Sequence, residues 1–138
     1  MSERAFLDSN ILLYTISHDP RAAVAEKTLL KAQCISVQVL NEFANVAWRK
    51  KALTLQQIAE ATQQFRQLFE VLPLTLPVHD HALELAGRYS LSFYDALIVA
   101  AALSGECTVL YSEDMQHGLK IEQRLRVVNP FAVKARAT

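Results

Sequence analysis

The segment Phe93 to Ser104 carries a single charge, Asp95, and is otherwise apolar on nearly every side of a helix. A helix without a polar face can only be buried, so the rest of the chain must cover it. Its uninterrupted apolar run, Ala96 to Leu103, is the longest in the sequence and falls far short of the ~20 residues that span a bilayer. With 138 residues, of which 51% are hydrophobic and 20% charged, the chain has material for one folded domain over 1–138. A body of that size buries roughly two thirds of the surface its unfolded form exposes.

Around the buried helix, short β-favouring stretches alternate with longer helical patterns. A strand is expected at Arg4 to Asp8, a short helix through Ile11 to Ile16, a helix from Pro20 to about Ala32, and a strand at Cys34 to Val37. Two longer helical patterns follow, Val39 to Lys51 and Thr54 to Glu70, the second with Thr54 as N-cap, and they read as an antiparallel pair. Val71 to Leu76 reads as a strand whose Pro73 suits an edge position. His79 to Tyr89 is helical by pattern, Ser90 to Ser92 a turn, and Gly105 closes the buried helix. Thr108 to Tyr111 supplies a fourth strand and Arg126 to Asn129 a shorter fifth, with a frayed tail expected after Phe131. This alternation predicts an α/β sandwich of three layers, with a central, mostly parallel sheet of four or five strands flanked by helices.

Fourteen Lys plus Arg balance fourteen Asp plus Glu, so net charge neither supports nor excludes a nucleic-acid partner. Arg49, Lys50 and Lys51 are the best candidates for contact with such a partner, although the same run complements the dipole of a helix end. Cys34 and Cys107 lack the C-x-x-C spacing of a zinc or redox site, which points to a reduced, cytoplasmic protein. The opening residues meet an acid before any long apolar stretch, so neither an export signal nor a membrane anchor is expected.

Four acids stand where chemistry is expected. In open parallel sheets ligands bind beyond the carboxyl ends of the strands; Asp8 ends the first strand, and Asp114 lies just past the strand finishing at Tyr111. On a helical wheel at about 100° per residue, Glu42 flanks the apolar stripe Val39, Phe43, Val46 and Ala47, on the side of Asn45 and Arg49. Asp95, in the first turn of the buried helix, must point to the mouth of the sheet. Four neighbouring carboxylates repel one another, and divalent cations relieve that repulsion. Hard oxygen ligands suit Mg²⁺ or Mn²⁺, and four negative charges match the two ions of a two-metal phosphodiester hydrolase.

Each acid also has a structural reading. Asp8 could cap the helix beginning near Asn10. Ser92-Phe93-Tyr94-Asp95 matches a capping box, Glu42 could be a solvated helix residue, and Asp114 a turn acid in Ser112-Glu113-Asp114. His79 and His81, two positions apart at a helix start, do not share a face and are set aside as ligands. His117 is taken as a surface turn histidine. Trp48 and Phe65 fall within periodic apolar patterns and are assigned to helix packing rather than base stacking.

The combination resembles the PIN-domain nucleases, and most closely the VapC ribonuclease toxins of bacterial toxin–antitoxin pairs. Phe6 to Tyr14, containing Asp8-Ser9-Asn10, is similar to the family's opening D-[ST]-N motif, and Val39-Leu40-Asn41-Glu42-Phe43 to its segment around the glutamate. Leu91 to Ala102 resembles the D-A-x-I-x-A-A helix, Leu110 to Met115 the T/S-x-D motif, and Asn129-Pro130-Phe131 a common ending. These segments span nearly the whole chain in the family's order. The resemblance implies that Asp8, Glu42, Asp95 and Asp114 are catalytic, metal-binding carboxylates, and that Ser9, Asn10 and Ser112 orient the site. It further implies an RNA substrate, a homodimer and inhibition by a cognate antitoxin.

The leading expectation is a Mg²⁺- or Mn²⁺-dependent endoribonuclease, the toxin of a toxin–antitoxin pair, hydrolysing phosphodiesters without a covalent intermediate. A housekeeping PIN-domain RNA-processing nuclease is the alternative within the same chemistry. From a different class comes a Mg²⁺-binding, receiver-like signalling domain, which wants a phosphorylatable Asp at a central strand end and a later Lys that are not evident here. A PIN fold kept only for protein binding would not need all four acids.

Overall fold

The computed structural model describes residues 3–132, and most of the tail expected to fray after Phe131 lies outside them. The chain opens with β1 (Ala5–Leu7), whose residues are buried on both faces, and turns at once into α1 (Ser9–Thr15). Strands covered on both sides read as short continuous apolar runs, which is why Ala5-Phe6-Leu7 shows no alternation. After α2 (Ala22–Leu29) comes β2 (Cys34–Ser36), then the helical hairpin α3 (Val37–Lys50) and α4 (Leu55–Leu68). Ser36 both ends β2 and caps α3 by accepting from the Val39 amide at 3.2 Å, so strand and helix meet without a loop. Thr54 caps α4 in a full capping box with Gln57.

The remainder comprises β3 (Glu70–Leu72), α5 (Leu76–Tyr89), α6 (Phe93–Ser104), β4 (Val109–Tyr111), β5 (Lys120–Ile121) and β6 (Leu125–Val128). The sheet runs in the order β3-β2-β1-β4-β6-β5, parallel throughout except for the antiparallel β5–β6 hairpin. It is the expected mostly parallel sheet flanked by helices, with one strand more than the four or five anticipated. The direction of the connections reverses between β1 and β4, and there the chain leaves two neighbouring strands at their carboxyl ends. Phe6 pairs with Leu110 and Leu7 with Tyr111. The ladder runs one step further, through Asp8 N–H to the Tyr111 carbonyl at 3.0 Å, and Ser112 N–H extends it to Val128 at 3.0 Å.

Several boundaries differ from the sequence expectation for local reasons. The strand expected at Val71 to Leu76 ends at Leu72, because Thr75 caps α5 and Pro77 sits in its first turn, starting that helix three residues early. β3 nevertheless lies at the sheet edge, as Pro73 suggested. The helix expected from Pro20 begins at Ala22.

Helix α6 is the centre of the core: every residue from Ala96 to Leu103 is buried, against α5 and against β2 and β3. Gly105 follows it at φ −89°, a conformation open to any residue, and the left-handed position belongs to Glu106. What Gly105 provides is clearance, since a Cβ there would stand 2.4 Å from Leu72 Cδ1. Trp48, assigned to packing from its periodicity, is instead 56% exposed on the outer side of α3, whereas Phe65 is buried edge-on against Phe43 at 5.1 Å. Both cysteines are free and buried. Among the described residues no helix is long and apolar enough to cross a membrane.

Candidate active site

Asp8 leaves β1 at the point where the sheet's connections diverge, and it is 1% exposed. Its main chain continues the strand ladder while its side chain caps α1, with Oδ1 accepting from Ser9 N–H at 2.7 Å. Oδ2 accepts from Ser112 Oγ at 2.7 Å. Capping and a place in the acidic cluster are therefore not alternatives for this residue. Burial dominates its proton affinity and, aided by repulsion from Glu42 and Asp114, raises its pKa to about 7 against the opposing bonds from Ser112 and Ser9.

Asp95 and Asp114 meet Asp8: one carboxylate oxygen from each of the three lies within 4.8 Å of the others. Asp95 is half-buried in the first turn of α6, where Ser92 Oγ accepts its amide hydrogen at 3.2 Å. Only that half of the expected capping box forms among the described residues, so the Asp95 carboxylate remains directed at the cluster. Burial and the nearby Asp114 raise its pKa. Asp114 is exposed on the loop after β4, and its amide donates to Ser112 Oγ at 3.2 Å. Ser112 thus joins Asp8 and Asp114 through one hydroxyl.

Glu42 stands outside the three-oxygen set. Its Oε1 accepts from Ser9 Oγ at 3.0 Å and its Oε2 from Gln38 Nε2 at 3.2 Å, so Ser9 links it to Asp8. Its pKa is raised, first by burial and then by Asp95 and Asp114. Among the described residues none of the four acids enters a salt bridge. Clustered like charges without a cationic partner, one of them fully buried and all with hard oxygen donors, fit a divalent cation of the Mg²⁺ or Mn²⁺ class.

Of the supporting residues expected, Ser9 and Ser112 touch the acids directly. Asn10 does not: its Oδ1 accepts from the Glu113 amide at 3.4 Å, and its Nδ2 is buried without a partner. Glu113 turns away from the cluster, accepting from the Tyr14 hydroxyl and, at 2.9 Å, from Arg21 Nη1. The histidines set aside are accounted for structurally. His79 packs edge-on against Phe93 at 5.5 Å, His81 pairs with Glu122 at 2.9 Å, and His117 Nδ1 accepts from the Asn129 amide at 2.9 Å.

A cleft of about 510 Å³ opens beside two of the acids, Glu42 and Asp114, and is lined also by Ser9, Asn10 and Leu13 from α1, by Tyr94, and by a continuous face of α3. That face carries Gln38, Asn41, Glu42, Asn45 and Val46, the i, i+3, i+4, i+7, i+8 spacing of one side of a helix. A smaller hollow of about 270 Å³ shares Asn10, Leu13, Val46 and Asp114 with it and extends to Lys50 and Lys51. Those two lysines are the part of the anticipated basic run that lines this groove. Tyr94, Asn41 and Asn45 were not anticipated from the sequence; no spacing rule singles them out.

The PIN domain family model matches residues 5–118. No curated relative matches the chain. Among solved structures, a toxin–antitoxin complex from Klebsiella pneumoniae is similar at 21% identity and TM-score 0.69, covering 91% of this chain and 97% of that one. VapBC from Salmonella typhimurium, solved bound to DNA, is 21% identical with TM-score 0.66, covering 93% and 98%. VapC20 from Mycobacterium tuberculosis, described as a sarcin–ricin loop cleaving toxin, is 18% identical with TM-score 0.65, covering 78% and 88%.

Proposed function

The chain belongs to the PIN-domain family, and on that premise we propose that it is a Mg²⁺- or Mn²⁺-dependent endoribonuclease acting in the cytoplasm as the toxin of a toxin–antitoxin pair. The observation that carries this reading is the convergence of Asp8, Asp95 and Asp114 oxygens within 4.8 Å at the switch point of a parallel sheet. A divalent cation bound there would supply charge neutralisation and a more acidic water for in-line attack on a phosphodiester. Asp8 is held for that purpose on both oxygens, by Ser112 and by the first amide of α1. Glu42, fixed by Ser9 and Gln38 at the cleft wall, adds the fourth negative charge, and its raised proton affinity suits it to accept a proton at the rim of the reacting centre.

Lys50 and Lys51 at the far end of the groove favour a polyanion running past the acids. The complexes from Klebsiella pneumoniae and Salmonella typhimurium support an antitoxin partner, and we extend the proposal to a homodimer whose acidic cleft that partner covers. The receiver-like alternative does not survive the family assignment.

The test is cleavage of total RNA by the wild type and by Asp95→Asn, with and without chelator, followed by mapping of the ends. The wild type is expected to cut at defined positions only with Mg²⁺ or Mn²⁺, and the variant not at all. Full cutting by Asp95→Asn, or by the wild type in chelator, would falsify the proposal.

A further inference from the structure

We propose that the cleft beside Glu42 and Asp114 is a subsite for one unpaired nucleobase next to the scissile phosphate, with Tyr94 stacking the base and Asn41 and Asn45 hydrogen-bonding its edge. The inference rests on the ribonuclease reading above and names what that reading leaves open, the chemistry by which the cut position is chosen.

Three observations converge on it. Tyr94 is 63% exposed in the first turn of a helix buried from Ala96 to Leu103, it lines the cleft, and it immediately precedes Asp95 in the chain. An exposed aromatic ring thus lines the same cleft as the acids Glu42 and Asp114. Asn41 and Asn45 lie one turn apart on the same wall of α3, flanking Glu42, and both are exposed. Their neighbour Gln38 is committed to Glu42, whereas among the described residues neither asparagine carboxamide is engaged in a hydrogen bond. Each offers a donor pair and an acceptor, the combination that reads a base edge.

Stacking serves unpaired bases, whose faces are open, and single-stranded RNA is recognised through stacked bases and their exposed edges. A cleft of about 510 Å³ holds a ligand of small-molecule size rather than a helix. Trp48, an exposed aromatic on α3, lies outside the cleft lining and provides a control for surface aromatics in general.

The probe is a short single-stranded RNA carrying the mapped cut site, with each flanking base replaced in turn by an abasic residue. For the wild type, one abasic position is expected to raise KM by roughly 5- to 150-fold, the range stacking of one base spans. Tyr94→Ala is expected to raise KM similarly and to become indifferent to that abasic position; Tyr94→Phe, which keeps the ring, recovers most of the loss. Asn41→Ala with Asn45→Ala is expected to broaden the base preference at the same position. Trp48→Ala leaves KM and the cut positions as they were. The rise in Tm on adding Mn²⁺ is expected to persist in Tyr94→Ala, which separates a base contact from damage to Asp95. If the wild type cuts RNA but Tyr94→Ala cuts the same ends with unchanged KM, the subsite is overturned while the ribonuclease reading stands. The subsite is likewise overturned if Tyr94→Ala weakens only a protein inhibitor's grip. RNA left whole by the wild type ends the reading on which the subsite rests.

Discussion

Ser112 and Asp8, 104 positions apart in the chain, share a 2.7 Å hydrogen bond in which the serine hydroxyl donates to a fully buried carboxylate. The same hydroxyl accepts from the Asp114 amide, so one small side chain sets the spacing of two acids on adjacent strand ends. Ser112→Ala is expected to leave the fold intact and to weaken Mn²⁺ binding and RNA cleavage by about 10- to 100-fold, the usual cost of removing a group that orients a metal ligand. Calorimetric titration with Mn²⁺ checks this; wild-type affinity in Ser112→Ala would show that the bond is incidental.

The acidity of Asp8 gives a pH dependence of definite sign. Its folded pKa of about 7 lies well above the roughly 3.9 of an unfolded aspartate. The folded state therefore binds the proton more tightly, and the stability this confers is fully present below about pH 4 and is lost as the pH rises towards about 7, amounting at most to ~4 kcal/mol. In chelator, the wild-type Tm is expected to fall relative to that of Asp8→Asn between about pH 4 and about pH 7, leaving the variant the more stable at the upper end. Parallel melting curves across that interval would contradict the assignment.

Metal should reverse that order. A cation that binds only the folded protein stabilises it by RT ln(1 + [L]/Kd), about 2.7 kcal/mol at a hundredfold excess over Kd. Millimolar Mg²⁺ or Mn²⁺ is expected to raise the wild-type Tm and to leave Asp95→Asn and Asp114→Asn nearly unmoved, with RNA cleavage abolished in both. Circular dichroism melts with each ion decide it, and an equal rise in all three proteins would point to binding elsewhere.

Gly105 offers a test of the core independent of the site. A methyl group there meets Leu72 Cδ1 at 2.4 Å, and overpacking of this kind costs about 1–3 kcal/mol. Gly105→Ala is expected to lose that much in urea unfolding, and Leu72→Val, which removes the obstructing δ-carbons, to make the double variant more stable than the two single losses sum to. Strict additivity would mean that the two residues do not clash.

What the sequence revealed and concealed follows from the range of the interactions involved. The buried strands and α6 were legible because continuous apolar runs have no other use, and Asp8 and Asp114 because ends of adjacent parallel strands converge. The β5–β6 hairpin escaped notice because its turn is formed by Glu122 and Gln123, both left-handed at φ 53° and 57°, where Gly or Asn would have signalled it. Here tertiary contacts stand in for propensity: Tyr89 Oη accepts the Glu122 amide hydrogen at 2.8 Å, and His81 holds the Glu122 side chain. The exclusion of Glu42 from the three-oxygen set was equally invisible, since a helical wheel gives a direction and no distance. Tyr94 was overlooked because exposure in the first turn of an apolar helix depends on what packs beside it.

The pairing of β1 with β4 also bears on when such a site can come into being. The main chain at Asp8 is secured by Tyr111, and its side chain by Ser112, so the opening residues emerging from a ribosome carry their carboxylate without the strand that shapes it. Most of the polypeptide must be synthesised and docked before the centre exists. On the proposed ribonuclease reading, a nascent chain is expected to be inactive until β4 has docked, and truncation products ending before residue 109 are expected to cut no RNA.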